Sequence, residues 1–354
     1  MANGSIKKRK AATENNKKEE NIQNQHAALK LAKYENNPII SGSPENAWEA
    51  WQTFNPGVIL LDEQIHFIYR AIGPDGLSRL GYAVSDDGFT IAARSSYPAY
   101  QHQIRKGYFY ASFSGGSFGG AEDPRLCRVD DEDIVYMTYT ACDGGLRVAL
   151  TSISIEDFLK RDWNWKKPAL ISAPGETHKN WVIFPEKIDG RYAILHSIKP
   201  SVQVEYLDTL EFDDNQYISS CHAGGPQEGS WDTWLRGAAA PPLKTKDGWL
   251  LFYHAMDNDW GKYKVGALLL DLDDPTQIRY RAAEPVLEPS EAYENNGYKS
   301  GVIYVTGAII KGGTLLVYYG GADSCVCVAS APLDEFLDAF KQGKKPKVSK
   351  VEHS

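Results

Sequence analysis

Residues 126–152 read LCRVDDEDIVYMTYTACDGGLRVALTS, and this segment decides the fold. It contains an apolar strand, an acidic turn, a second strand rich in tyrosine, a Gly-containing loop and a third strand. Short runs of β-branched and aromatic residues bounded by Asp and Gly are typical of antiparallel hairpins. The segment therefore predicts a small antiparallel sheet.

The same pattern recurs along the chain. The other four copies occupy residues 58–85, 182–208, 243–271 and 308–331. Aligned on their second strands, the five copies lie 56 to 70 residues apart, at Arg70, Thr140, His196, His254 and Tyr319. A repeated β unit that cannot bury both faces alone favours radial repetition. The sequence predicts an all-β fold, a five-bladed β-propeller, with two β-sandwiches as the alternative.

Helical patterns are short and lie mainly near the two ends of the chain. They occur in residues 19–35, 154–163 and 332–343. No internal linker interrupts the repeats. We therefore predict three regions: a polar, Lys-rich N-terminal tail over 1–37, disordered or helical; a propeller domain over 38–340; and a C-terminal tail over 341–354.

Composition excludes several classes of protein. The 354 residues carry a net charge of −8, which argues against a nucleic-acid surface. The five cysteines show neither CxxC nor zinc-ligand spacing, so no metal site is expected. No apolar run approaches the roughly 18 residues of a membrane helix, and the N-terminus lacks the apolar core of a signal peptide. These features predict a cytoplasmic protein that binds neither membrane nor nucleic acid.

Charged residues cluster where the inner strands of a propeller would end, at its central channel. The candidates are Arg70, Arg79, Glu122, Asp123, Arg125, Lys179, Glu186, Lys187, His196, Glu228, Arg236, His254 and Asp323. Carboxylates and cations among aromatic residues suit a carbohydrate, whose rings stack on aromatic faces and whose hydroxyls bind charged groups. Paired carboxylates are also the usual equipment for cleaving glycosidic bonds.

Several ordered motifs carry a family resemblance. They include PENAWEAWQTFNPGVIL, HFIYRAIG, GGAEDPRL, KNWVIFPEKIDGRYAILHS, PPLKTKDGWLLFYHAM, YENNG and LLVYYGGAD, and they run from residue 44 to about 336. In these motifs the chain resembles glycoside hydrolase family 130. The resemblance implies a five-bladed propeller enzyme that cleaves β-mannosides with inversion, by phosphorolysis or by hydrolysis.

The resemblance also implies roles for individual residues. Asp123 matches the family's general acid, and Asp323 matches a position that contacts the mannosyl ring. A general acid needs a raised pKa, and repulsion from Glu122 is expected to contribute to it. The other expected substrate contacts are Asn55, Arg70, Arg79, Glu122, Arg125, Lys179 and Asn180.

The attacking group is the open question. The phosphorylases' histidine is kept as His254, but Leu235 aligns with their phosphate-binding cation and Ser197 replaces an arginine. Loss of cations weakens phosphate binding, which relies on charge-assisted hydrogen bonds. We therefore expect hydrolysis, with Glu186 or Glu228 as the base that activates water.

The alternative is a β-mannoside phosphorylase. In that case Lys187, Arg236 and His254 would hold inorganic phosphate, a co-substrate that releases α-mannose 1-phosphate; no other cofactor is expected. A more remote alternative is a carbohydrate-binding propeller without catalysis. The sequence leaves open the β-1,2 or β-1,4 linkage of the manno-oligosaccharide substrate, and it leaves open a homo-oligomer.

Overall fold

The computed structural model describes residues 30–104, 113–221, 230–258 and 262–342, and this part of the chain is mostly β. The strands are β1 (Ala32–Lys33), β2 (Gln52–Leu61), β3 (Gln64–Ile72), β4 (Ser78–Ser85), β5 (Ala93–Arg94), β6 (Gly120–Cys127), β7 (Ile134–Cys142), β8 (Leu146–Ser154), β9 (Ala169–Leu170), β10 (Val182–Ile183), β11 (Tyr192–Ser197), β12 (Gln203–Leu207), β13 (Trp234–Ala238), β14 (Leu243–Thr245), β15 (Gly248–Met256), β16 (Lys264–Leu270), β17 (Ile278–Arg281), β18 (Ile303–Lys311), β19 (Thr314–Gly321) and β20 (Cys325–Pro332).

The strands form five antiparallel units in chain order. Their compositions are β2-β3-β4-β5, β6-β7-β8-β9, β10-β11-β12, β13-β15-β16-β17 with β14 against β15, and β18-β19-β20 with β1 at the edge. A single parallel bridge, Ser78 to Gly120, joins the first unit to the second. The five residues used to align the repeats fall in β3, β7, β11, β15 and β19, each of which is paired on both sides. The predicted repeat is confirmed at this level.

The hydrophobic core is divided among five clusters, each shared by two neighbouring units. For example, Ile68 and Tyr82 of the first unit pack in one cluster with Val135 and Met137 of the second. Equivalent clusters join the second unit to the third, the third to the fourth and the fourth to the fifth. A fifth cluster contains residues of the first and the last unit. Each unit therefore buries both faces against its neighbours.

Strand β1 lies on the N-terminal side of the boundary predicted at residue 38. Ala32 and Lys33 form β1, which pairs with Ser330 and Ala329 of β20 at the edge of the fifth unit. The Lys33 ammonium lies 2.6 Å from a carboxylate oxygen of the buried Glu294. Residues 30–37, assigned to the tail from sequence, therefore belong to the folded domain because they supply an edge strand. Residues 1–29 and 343–354 lie outside the described residues.

The helices are short. They are α1 (Ile155–Lys160), α2 (Ala292–Asn295), α3 (Leu333–Gln342) and a single 3-10 turn over Ala47–Glu49. The first and third of these confirm sequence predictions, and α1 begins with Ser154 accepting a hydrogen bond from the Asp157 amide at 3.0 Å. In the described part of the chain, no helix has the length and apolar character needed to cross a membrane.

Candidate active site

Bulges interrupt the first strand of four of the five units. The unpaired residues are Asn55 in β2, Asp123 and Pro124 in β6, Arg236 in β13 and Thr306 in β18. A bulge breaks the strict alternation of side chains and re-aims a residue away from the face it would otherwise occupy. In three of these strands the bulge presents a polar side chain to one shared cavity.

This cavity has a volume of about 420 Å³ and receives residues from all five units. Its polar side chains are Asn55, Arg70, Ser114, Asp123, Thr177, His178, Lys179, Asn180, His196, Ser197, Arg236, Tyr263, Lys299, Tyr304 and Asp323. A concave site with converging polar groups is the form that small-molecule sites usually take. Of the residues predicted for the site, it brings together Asn55, Arg70, Asp123, Lys179, Asn180, Arg236 and Asp323, as well as the candidate His196.

Four residues of the cavity have left-handed backbones. The φ angles are 48° at Asn55, 51° at Asp123, 67° at Asn180 and 50° at Asp323. Asn and Asp tolerate this region better than other non-glycine residues, but it remains uncommon, and such residues cluster at functional sites. Gly320 leaves the room for one of them, because a Cβ there would lie 2.0 Å from Oδ1 of Asn55.

Asp123 is held as a carboxylate. Its Oδ1 accepts hydrogen bonds from Asn55 Nδ2 at 2.8 Å and from Arg70 Nη1 at 3.2 Å. Burial disfavours the charged form, but the cations Arg70, Lys179 and Arg125 outweigh burial and lower the pKa of Asp123. The raised pKa of Asp123 expected from repulsion by Glu122 is therefore wrong, because the neighbouring cations dominate.

Glu122 does not line the cavity, but it bonds two cations that do. It is fully buried, and its two oxygens accept from Arg70 at 3.1 Å and Lys179 at 3.0 Å. Ser114 and Ser117 also donate to it, at 2.9 and 3.2 Å. These contacts are internal, so the structure gives Glu122 a supporting position instead of the expected substrate contact.

Arg125 also joins elements of the fold without lining the cavity. Its guanidinium donates to the carbonyls of Ala239 at 2.7 Å and Asp123 at 2.8 Å, and to Asn180 Oδ1 at 2.8 Å. Asn180 Oδ1 accepts a further bond from the Tyr304 hydroxyl at 2.7 Å. Arg125 is thus a buried link between three units, and Asn180 is the member of this network that faces the cavity.

Two cations on another wall of the cavity flank one tyrosine. The Arg236 guanidinium lies 5.7 Å and the Lys299 ammonium 4.6 Å from the ring centre of Tyr263. Both cationic side chains belong to exposed residues at the cavity wall. Arg70 and Lys179 also line the cavity but are paired with Glu122, whereas Arg236 and Lys299 form no ion pair with a carboxylate among the residues described. Such a site favours an anion.

A third wall of the cavity is aromatic. The ring of Trp181 lies 5.6 Å from that of His178 and 5.5 Å from that of His196. Burial, followed by the charge of His178, lowers the pKa of His196 to about 4, so this imidazole is neutral near pH 7. Trp181 is only 1% exposed, so the indole itself offers little surface for stacking, and the two histidines form the polar part of this wall.

His254 lies behind the cavity. It is fully buried and stacks on Tyr304 with the ring centres 3.9 Å apart. Burial, reinforced by the charge of Arg125, lowers the pKa of His254 to about 3. The imidazole is therefore neutral, and it supports Tyr304 instead of reaching the cavity as the sequence predicts.

Three further predicted residues do not reach the cavity. Arg79 pairs with Asp75, Glu186 pairs with Lys244, and Lys187 donates to Glu132 at 2.8 Å. The side chains of these residues find partners on the outer parts of their units, so their position at strand ends is not sufficient to turn them inward. Glu228, the other proposed base, lies outside the described residues.

Sequence reasoning missed Ser114, Tyr263, Lys299 and Tyr304. Lys299 follows the YENNG motif by two residues, and this motif was the available signal for it. The other three lie in segments whose local pattern carries no distinguishing mark. No group of three His, Cys, Asp or Glu side chains is placed to hold a metal within the described ranges.

Comparisons with known proteins agree with this geometry. The model of the Glyco_hydro_130 family, described as beta-1,4-mannooligosaccharide phosphorylase, matches residues 16–342. A 1,2-beta-oligomannan phosphorylase from Thermoanaerobacter sp. (strain X514) is 35% identical over 315 residues, which cover 85% of this chain and 97% of that protein. A beta-1,2-mannobiose phosphorylase of the same strain is 33% identical over 318 residues, with 85% and 97% coverage.

The fold is also similar to that of a solved structure. The beta-1,2-mannobiose phosphorylase from Listeria innocua, in complex with beta-1,2-mannobiose, aligns with a TM-score of 0.68 at 24% identity. The alignment covers 88% of this chain and 99% of that one.

Proposed function

The chain belongs to the Glyco_hydro_130 family, and from this membership we propose that it is a β-mannoside phosphorylase. Inorganic phosphate attacks the anomeric carbon of a terminal β-mannosyl unit, and the products are α-mannose 1-phosphate and a saccharide shortened by one sugar. Both relatives that cover 85% of this chain are phosphorylases named for β-1,2-linked substrates. We therefore propose β-1,2-linked manno-oligosaccharides as the substrate, ahead of β-1,4-linked ones.

The observation that carries the proposal is the charge of the cavity. Arg236 and Lys299 line it without an ion-pair partner among the described residues, whereas Arg70 and Lys179 are already paired with Glu122. Arg236 and Lys299 flank Tyr263, a geometry suited to a phosphate dianion held by charge-assisted hydrogen bonds. Of the two glutamates expected as the base of a hydrolase, Glu186 is paired with Lys244 away from the cavity, and Glu228 lies outside the described residues.

The roles of the remaining residues follow from their positions. The mannosyl unit to be transferred lies near Asp123, Asp323 and Asn55, and the leaving saccharide lies along His178 and His196. The carboxyl pair supplies the proton that the leaving oxygen requires, since an alkoxide is a poor leaving group. Arg70 and Lys179 supply positive charge at the end of the cavity that contains Asp123.

We also propose that the five units are the blades of a β-propeller arranged around this cavity. Support comes from the contribution of every unit to the lining and from the core clusters, one of which joins the last unit to the first. The cytoplasmic location stays a prediction from sequence.

The test is product analysis with purified protein and β-1,2-mannobiose, with and without inorganic phosphate. Phosphorolysis predicts α-mannose 1-phosphate and mannose in equal amounts, and negligible turnover without phosphate. Free mannose as the only product, at the same rate in both reactions, would instead establish the hydrolase. A parallel reaction with β-1,4-mannobiose measures the linkage preference.

A further inference from the structure

The two aspartates of the cavity are bonded very differently. Asp123 Oδ1 accepts from Asn55 and from Arg70, at 2.8 and 3.2 Å. The Asp323 backbone carbonyl accepts from Gln52 Nε2 at 2.8 Å, but its carboxyl group accepts no hydrogen bond from the residues that the structure describes. One carboxyl is thus built to stay ionised, and the other is not.

The cations around Asp323 are already engaged elsewhere. Arg70 donates to Ser78, Asp123 and Glu122, and Lys179 donates to Ser114 and Glu122. Lys299 lies over the Tyr263 ring. A buried carboxyl without its own donor is less costly when protonated than when charged.

The electrostatics point the same way. The charged groups that act on Asp323 are Arg70, Asp123, Lys299 and Lys179. Burial is the largest influence, Asp123 adds to it, and the three cations oppose it; together they raise the pKa of Asp323 to about 6. The same cations lower the pKa of Asp123.

We propose that Asp123 and Asp323 form a proton-sharing pair, in which Asp323 holds the proton in the free enzyme and supplies it for departure of the leaving oxygen. Two carboxyl groups are needed for these two roles. A single carboxyl group that is hydrogen-bonded to cations stays ionised near neutral pH and has no proton to donate. This inference rests on the proposed cleavage of a β-mannoside, but it does not depend on phosphate being the attacking group.

The proton balance of the step is closed. The bond between the anomeric carbon and the leaving oxygen breaks, and that oxygen takes the proton of the pair while a phosphate oxygen forms the new bond to carbon. Attack by hydrogen phosphate leaves the protonated phosphate ester, whose proton then returns to the pair. No oxidant, reductant or metal is needed.

The first test compares leaving groups that need a proton with one that does not. Kinetics of the wild type, Asp323→Asn and Asp123→Asn are measured with β-1,2-mannobiose and with 2,4-dinitrophenyl β-mannoside. On mannobiose we expect Asp323→Asn to lose at least about a hundredfold in kcat/KM, the usual scale for acid catalysis, but to lose less than about tenfold on the aryl mannoside. The surface variant Asp75→Asn should match the wild type on both.

Equal losses of Asp323→Asn on the two substrates would overturn the proposal, because they would indicate sugar binding alone. If the wild type releases free mannose without phosphate, phosphorolysis is wrong, yet the comparison of leaving groups is interpreted unchanged. The two failures are therefore distinguishable.

A second measurement does not require turnover. Infrared difference spectroscopy follows the C=O stretch of a protonated carboxyl group during a pH titration. We expect a band that disappears with a midpoint near pH 6 in the wild type, shifts to lower pH in Asp123→Asn and is absent in Asp323→Asn. A band that is lost in Asp123→Asn and kept in Asp323→Asn, or no such band in the wild type, would overturn the assignment.

Discussion

Arg70 Nη1 lies 3.2 Å from Oδ1 of Asp123, inside the buried base of the cavity. The second terminal nitrogen of the same guanidinium bonds Glu122 at 3.1 Å. One planar side chain therefore holds two neighbouring carboxylates in a fixed relation, as only an arginine fork can. Asp123 owes its orientation to this contact and to Asn55.

The first prediction concerns this fork. Arg70→Lys should lower kcat/KM for β-1,2-mannobiose at least about tenfold, because the three donors of one ammonium group cannot replace the five hydrogen bonds that the planar guanidinium makes to the described residues. The matched control is Arg79→Lys, nine residues along the chain, whose arginine pairs with Asp75 at the surface. The control should stay within about twofold of the wild type, as expected for a surface ion pair. Equal losses in both variants would contradict the assigned positions.

The second prediction compares Arg236 and Lys299, the two cations proposed to bind phosphate, with Lys187, a candidate for the same role from sequence. Arg236→Ala and Lys299→Ala should each raise the KM for phosphate about tenfold, since one charge-assisted hydrogen bond contributes about 1.5 kcal/mol or more. Lys187→Ala should leave this KM unchanged, because Lys187 is bonded to Glu132. Initial rates at varied phosphate and saturating mannobiose measure the effect. If Lys187→Ala were the only variant to raise the KM for phosphate, phosphate would bind at Lys187, as the sequence analysis proposed for a phosphorylase.

The third prediction concerns stability and pH. The pKa of Asp323 is about 6 in the folded protein against 3.8 ordinarily, so the folded state binds the proton more tightly than the unfolded chain. The resulting stabilisation is present below about pH 4 and is lost as pH rises through 6, a change of about 3 kcal/mol. Asp323→Asn removes this dependence.

Thermal unfolding at pH 5 and pH 8 measures the change. Asp323→Asn should gain stability relative to the wild type at pH 8 more than at pH 5, while losing activity on mannobiose. Such an exchange of stability for function is common at active sites. A variant less stable than the wild type by the same amount at both pH values would show that Asp323 is not destabilised by ionisation.

The fourth prediction concerns the edge strand. Lys33→Ala should destabilise the protein by about 3 kcal/mol, because it leaves the buried Glu294 carboxylate without its cation. Lys30→Ala is the control, since Lys30 and Glu288 form an exposed pair, 59% and 40% accessible. The control should change the free energy of unfolding by no more than about 0.5 kcal/mol. Urea unfolding of both variants makes the comparison, and similar small effects would mean that β1 adds little to the fifth unit.

The repeated units and the place of Asp123 in the cavity could be predicted from sequence. Both depend on short-range features: strand runs bounded by turn residues, and the local motif GGAEDPRL. The boundary between the N-terminal tail and the folded domain could not be predicted, because β1 pairs with a strand nearly 300 residues further along the chain, at Ser330. Such a pairing leaves no local pattern.

Which polar residues face the cavity was decided by the tertiary structure. From sequence, Glu186 and Lys187 are as plausible as Arg236 at the inner end of a strand. In the structure they pair with Lys244 and Glu132 instead. Arg236 faces the cavity because it occupies a bulge, and a bulge is set by pairing with the neighbouring strand.

The charge states of Asp123 and Asp323 could not be predicted from the sequence either. Adjacent Glu122 and Asp123 suggest mutual repulsion, whereas the folded chain surrounds them with Arg70, Lys179 and Arg125. By itself the sequence determined the family, the repeating β units and the motif that contains Asp123, because these are encoded within a few residues. Only the tertiary structure decided which side chains share the cavity and which charged groups surround its aspartates, because burial and charge at one point depend on segments far apart in the chain.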